Sequence, residues 1–155
     1  MCIAEAALAQ CREACAGGSE QASPDCGPSP AGFRVAPKLV RANPGDCQRA
    51  GEFIAGTWSA HAIAEDGDLR HYKMQLAVQG CALTASFEGQ GGGPRHMRGQ
   101  IYAGDIWTLE GRDKGRRYRW RLAGAGPAFG DFAINMPTGA TKRQINGGLA
   151  AYRIQ

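Results

Sequence analysis

The sequence predicts a mainly β protein: an eight-stranded antiparallel up-and-down barrel preceded by an N-terminal helix and an irregular tether. Three observations carry that expectation. Ile106–Leu122, IWTLEGRDKGRRYRWRL, alternates apolar and polar residues and is broken once by a turn. Such period-two patterning is that of strands with one buried face. From Gly56 onward similar short segments recur between turn signals. The chain of 155 residues also carries 23 glycines and 8 prolines, which supply turns at the frequency that many short strands need. A two-stranded hairpin is marginal in water, so the central hairpin requires more sheet around it.

The length suits one barrel with a real core. Two regions are expected, with residues 1–50 as helix and tether and residues 51–155 as the barrel. Met1–Ala16 is alanine-rich, lacks Gly and Pro, and places Ala4, Leu8, Cys11 and Cys15 on one helical stripe. Gly17-Gly18 ends it. The same start lacks a basic segment and has Glu5 within its apolar run, so it does not form a complete secretion signal. Ser19–Gly51 holds five prolines and reads as irregular, with a short strand at Phe33–Val40. Cys26 and Cys47 are placed to pin this segment to its neighbours.

The first barrel strand is Gly56–Ala64, with Trp58, Ala60 and Ala62 on one face. Glu65-Asp66-Gly67 fits a hairpin loop with Gly in the left-handed position, which sets Trp58 opposite Met74 and His61 opposite His71. Leu69–Val78 turns Tyr72, Met74, Leu76 and Val78 inward. A turn at Gln79-Gly80 then pairs Val78 with Cys81, Leu76 with Leu83 and Tyr72 with Phe87. After Gly89–Pro94, His96–Tyr102 brings Met97, Gly99 and Ile101 inward, with Ile101 facing Trp107. The central hairpin pairs Trp107 with Trp120 and Leu109 with Tyr118, leaving Arg117, Arg119 and Arg121 outside. Ala128–Met136 and Gly148–Ile154 complete the set. Eight sequential strands close when the first pairs with the last.

Gly56-Thr57-Trp58 at the opening of the first strand, and Arg153 on the closing strand, resemble the lipocalin and avidin group of small β-barrels (calycins) over about residues 51–155. In lipocalins a late arginine packs across the first-strand tryptophan, a cation–π contact. The resemblance implies a barrel and a possible cavity. It implies no particular ligand, because the long first loop is replaced by a short turn and no set of avidin-like polar contacts is present.

The candidate ligand-binding residues are Trp58, Tyr72, Met74, Phe87, Met97, Trp107, Tyr118 and Trp120, all inward in this register. They describe either a filled core or a pocket at one mouth. Arg117, Arg119 and Arg121 form the candidate partner-binding face, open to an anionic or acidic partner or simply solvated. Nucleic acid is disfavoured, because the aromatics alternate inward and cannot stack on bases. The net charge of +4 resides in residues 51–155. No cofactor motif or catalytic constellation is readable. His61 and His71, opposite one another on the outer face, form a cross-strand pair that could hold a metal, but no acidic or cysteine ligand is placed with them, so no metal site is expected. Six cysteines without CxxC spacing favour an oxidising compartment, periplasmic or secreted, and no run is long enough for a membrane-spanning helix. The expected function is non-enzymatic binding of a small apolar or amphipathic ligand in the cell envelope or outside the cell. The alternative is a protein-interaction module using the basic hairpin.

Overall fold

The computed structural model describes residues 38–88, 93–141 and 143–154. They form one helix, α1 (Pro44–Ile54), and eight strands. The strands are β1 (Gly56–Ala64), β2 (Leu69–Gln79), β3 (Ala82–Glu88), β4 (His96–Tyr102), β5 (Ile106–Asp113), β6 (Arg116–Ala123), β7 (Pro127–Asn135) and β8 (Gln144–Arg153). Each pairs antiparallel with the next and β8 returns to β1, so the sheet is a closed barrel. Closure leaves no strand edge to pair with another chain. The helix expected at Met1–Ala16 and the strand start at Phe33 lie outside the described residues.

Faces follow the sequence pattern. Trp58, Ala60 and Ala62 are buried inside β1, and Met74 and Leu76 inside β2. Leu109, Trp120 and Leu122 are likewise inside. His61 stands opposite His71, Trp58 opposite Met74, and Ile101 opposite Trp107, in the expected register. Trp58 is also directly across from Arg153 on β8.

Two hairpins depart from expectation by two residues. Val78 pairs with Leu83, Leu76 with Ala85 and Met74 with Phe87, because the turn is Gly80-Cys81 and not Gln79-Gly80. Trp107 pairs with Leu122, and Leu109 with Trp120, not Trp107 with Trp120. There the loop is the two residues Lys114 (φ 51°) and Gly115 (φ 78°), both left-handed as a type I′ hairpin turn requires. A two-residue shift preserves parity, so every side chain stays on its face.

The tether reading of Ser19–Gly51 is corrected at its end. Asn43 caps α1 by accepting a hydrogen bond from the Asp46 N–H (2.8 Å), and Pro44 occupies the first turn, where its missing N–H costs nothing. Cys47, Ala50, Gly51 and Ile54 form the buried face at helical spacing. Gly51 is a close approach, since a Cβ there would lie 2.9 Å from Val78 Cγ1. The Cys47–Cys81 disulfide fastens the helix to the β2–β3 turn.

Strand curvature also relies on glycine. A Cβ on Gly99 would meet the Thr108 carbonyl oxygen at 1.5 Å, and one on Gly130 the Arg121 oxygen at 1.8 Å. Only glycine lets these neighbouring strands approach so closely where the sheet coils.

Candidate functional site at the barrel mouth

Strand direction gives the barrel two unlike ends. At one end α1, the Gly80-Cys81 turn and the segment before α1 gather, the latter through Ala103 N–H to Val40 O (2.8 Å). Trp58 is fully buried and its indole N–H donates to Ile54 O (2.7 Å). Trp107 is also fully buried and donates to Gly124 O (2.9 Å), with its ring 5.5 Å from that of Trp58 in an edge contact. Met74, across from Trp58, and Ile101, across from Trp107, fill the space beside them. This end is packed shut.

Toward the other end lies a layer of three aromatic rings. Tyr72, Phe87 and Trp120 meet edge to face with centroid separations of 5.9, 5.4 and 5.4 Å. Such geometry suits the ring quadrupoles. Above this layer a cavity of about 90 Å³ opens among Tyr72, Tyr118, Trp120, Phe132, Ile134, Met136 and Ile145. Charged residues edge it: Asp66, Asp68, Arg70 and Arg116. Arg70 is held by Asp68 (Nε–Oδ2 3.1 Å), which raises the guanidinium pKa further. Burial pushes the Tyr72 phenol above the ordinary tyrosine range, and Arg70 pulls the other way.

The eight expected ligand-binding residues therefore divide. Tyr72, Tyr118 and Trp120 line the mouth cavity, and Phe87 supports it from the ring layer. Trp58, Met74, Met97 and Trp107 are core, away from that cavity. The pattern in the sequence missed Arg70 and Arg116 as part of the mouth, although Arg70 shares the parity of Tyr72 and Met74.

The basic face is partly neutralised. Arg117 Nη2 is paired with Glu110 Oε1 (2.9 Å). Arg119 lies across from Glu110, as does Arg98 on the far side, and Arg121 lies across from Asp131. Arg98, Arg119 and Arg121 line a shallow outer groove of about 590 Å³ floored by β4–β7, with Leu39 at its edge. Arg117 is not part of it.

A third arrangement sits on the outer wall of β1, β2 and β8. Ser59 Oγ is 2.5 Å from His71 Nε2, and the His61 and His71 ring centroids are 4.8 Å apart. Tyr152 stacks on His61 at 6.3 Å. Partial burial, then the neighbouring His71, lower the His61 pKa. Among the described residues no three His, Cys, Asp or Glu side chains converge as a metal cluster, and no helix is long and apolar enough to cross a membrane.

The fold and mouth together define a class: a closed eight-stranded up-and-down barrel, plugged at one end and indented at the other. Solved structures share that fold. EF1p2_mFAP2b, solved bound to DFHBI, superposes with a TM-score of 0.56 at 12% identity, over 69% of this chain and 98% of that one. The redesigned β-barrel b11L5F_LGL gives a TM-score of 0.51 at 15% identity, over 69% and 96%. These likenesses support the small-barrel architecture that the calycins also have, without singling out the lipocalins. No protein-family model and no curated protein sequence matches the chain.

Proposed function

We propose that this barrel binds a small amphipathic molecule at its open mouth. The apolar end enters over Trp120 and Phe132, and an anionic head meets Arg116. The observation that carries this reading is the aromatic-lined cavity beneath a charged rim. Its 90 Å³ is below the usual range for drug-sized ligands, so it suits one ring or a short chain end and leaves the rest of the ligand at the rim. Arg116 has no ion-pair partner among the described residues, which leaves its guanidinium for a ligand head. A barrel of the same fold, EF1p2_mFAP2b, was solved with a small molecule bound, in keeping with this use of the architecture. The Cys47–Cys81 disulfide suits an oxidising compartment, periplasmic or extracellular.

Titration with anilinonaphthalene sulfonate, an anionic aromatic dye, tests the proposal. Saturable dye emission with stoichiometric quenching of tryptophan fluorescence, weakened by Tyr118→Ala or Phe132→Ala, is expected. Dye binding that does not saturate, or that those substitutions leave unchanged, overturns it.

A second reading rests on the outer groove, where the three cations Arg98, Arg119 and Arg121 outnumber the acidic lining residues Glu110 and Asp131 among the described residues. It is a module that holds an acidic protein segment. Replacing Arg119 and Arg121 with serine abolishes salt-sensitive retention on an acidic peptide column if this reading holds.

A further inference from the structure

We infer that His61 and His71 form a binding site for a late first-row divalent metal ion, Cu²⁺ before Zn²⁺, on the outer wall of the barrel. The site is separate from the mouth and rests on its own geometry. His61 on β1 and His71 on β2 are direct cross-strand partners, so the sheet itself fixes their separation. Their ring centroids lie 4.8 Å apart. Two imidazoles bound to one ion through N–metal bonds of about 2.0–2.1 Å place their centroids roughly 4.5–5.2 Å apart, for bond angles from square-planar cis to tetrahedral. The cross-strand spacing falls within that range.

Ser59 supplies the second feature. It is only 4% exposed although it faces outward, and its Oγ lies 2.5 Å from His71 Nε2. With the Nε2–H donating to Ser59, His71 presents Nδ1 as its ligand atom. Histidines that bind metals are held in this way by a partner on the other ring nitrogen, which fixes tautomer and ring angle. Tyr152, stacked on His61 at an interplanar angle of 11°, holds the other ring. Lys73, the neighbouring cation on the same face, is drawn toward Glu88 (3.8 Å). His71 is exposed, so solvent completes the coordination.

The Ser59–His71 contact also resembles a nucleophile and its base, but burial excludes that role. Ser59 is hemmed between β2 and β8, and the backbone N–H groups around it serve the two ladders, leaving no donors for an oxyanion. Metal selectivity follows from the ligands: neutral imidazole nitrogens bind Cu²⁺ more tightly than Zn²⁺.

The test titrates the full, disulfide-intact chain with Cu²⁺, read by calorimetry and by electron paramagnetic resonance. A His61→Gln/His71→Gln double variant provides the background for ions taken up elsewhere. The expected result is one extra ion in the natural chain, with coupling to two nitrogens. His61→Gln or His71→Gln abolishes that ion, while Ser59→Ala weakens it about 10–100-fold. Circular dichroism checks that the variants remain folded. If the double variant binds Cu²⁺ with the same stoichiometry and affinity, or if the spectrum is unchanged by either single substitution, the pair is only a packed surface contact.

Discussion

The two ends of this barrel are built from the same kinds of residue and differ in how completely those residues are satisfied. At the plugged end, Trp58 and Trp107 are fully buried and each indole N–H has a carbonyl acceptor. Helix α1 meets Trp58 through the Ile54 carbonyl, and a disulfide holds the helix in place. At the mouth, Tyr72 and Trp120 have aromatic neighbours below and a cavity above. Aromatic residues at the first end serve stability, because nothing further can reach them. At the second end they line an open cavity.

Truncating a tryptophan at each end gives the largest separation between the two. Trp58→Ala removes a side chain that cannot be replaced by water or by collapse, and is expected to cost about 3–5 kcal/mol in chemical denaturation. Trp120→Ala extends a space that already exists, so its cost is smaller, and it enlarges the room at the mouth. Equal losses of stability at the two positions would show that the ends do not differ in packing.

The disulfide bears on the plugged end alone. Joining residues separated by 34 positions restricts the unfolded chain by about 4 kcal/mol on the chain-entropy account. Cys47→Ala/Cys81→Ala should lower the denaturation midpoint by a corresponding amount while dye affinity at the mouth is retained in the folded protein. Loss of dye binding at full folding would mean that the two ends are coupled through the strands.

How far this division can be read from the sequence depends on what period-two patterning records. It records the face of a strand, and the inward set from Trp58 to Trp120 follows it closely. It does not record depth. Trp107 and Tyr118 look alike in the alternation, yet one packs against Trp58 at the plugged end and the other lines the mouth cavity. Depth was hidden because α1 was hidden: Pro44, Gly45 and Gly51 read as breakers. In the folded chain Pro44 starts the helix after Asn43, and Gly51 admits Val78. Registers failed for a related reason. The left-handed pair Lys114 and Gly115, and a turn tied down through Cys81, set the hairpins two residues from the alternative that the alternation equally allows. The arginine face was visible as a stripe. Its neutralisation depends on register, which sets Glu110 of the same hairpin across from Arg119 and Asp131 of the next strand across from Arg121.

A smaller effect is expected at the rim. Arg116→Ser removes the cation placed over the cavity, and affinity for an anionic dye should fall about tenfold, equivalent to about 1.4 kcal/mol. Stability should change little, because Arg116 is exposed. An uncharged dye of the same ring size should be unaffected. If both dyes weaken equally, Arg116 shapes the cavity and does not read charge.

The smallest effect separates the ends by pH. Trp58 and Trp107 carry no ionisable group, whereas burial raises the Tyr72 phenol above its ordinary value of 10.0. Below that value Tyr72 is neutral in both folded and unfolded chains, so its contribution to stability is fully present. As pH rises past it, the unfolded chain loses the proton first and is stabilised relative to the fold. The contribution is therefore lost as pH climbs through the raised folded value. Absorbance at 295 nm should show one tyrosine titrating late, and Tyr72→Phe should remove both that late step and its share of the alkaline destabilisation. A ligand seated against Tyr72 excludes more water from the phenol and should delay the step further. A late step that survives Tyr72→Phe would assign it to another tyrosine and would leave the mouth without the buried hydroxyl on which this contrast depends.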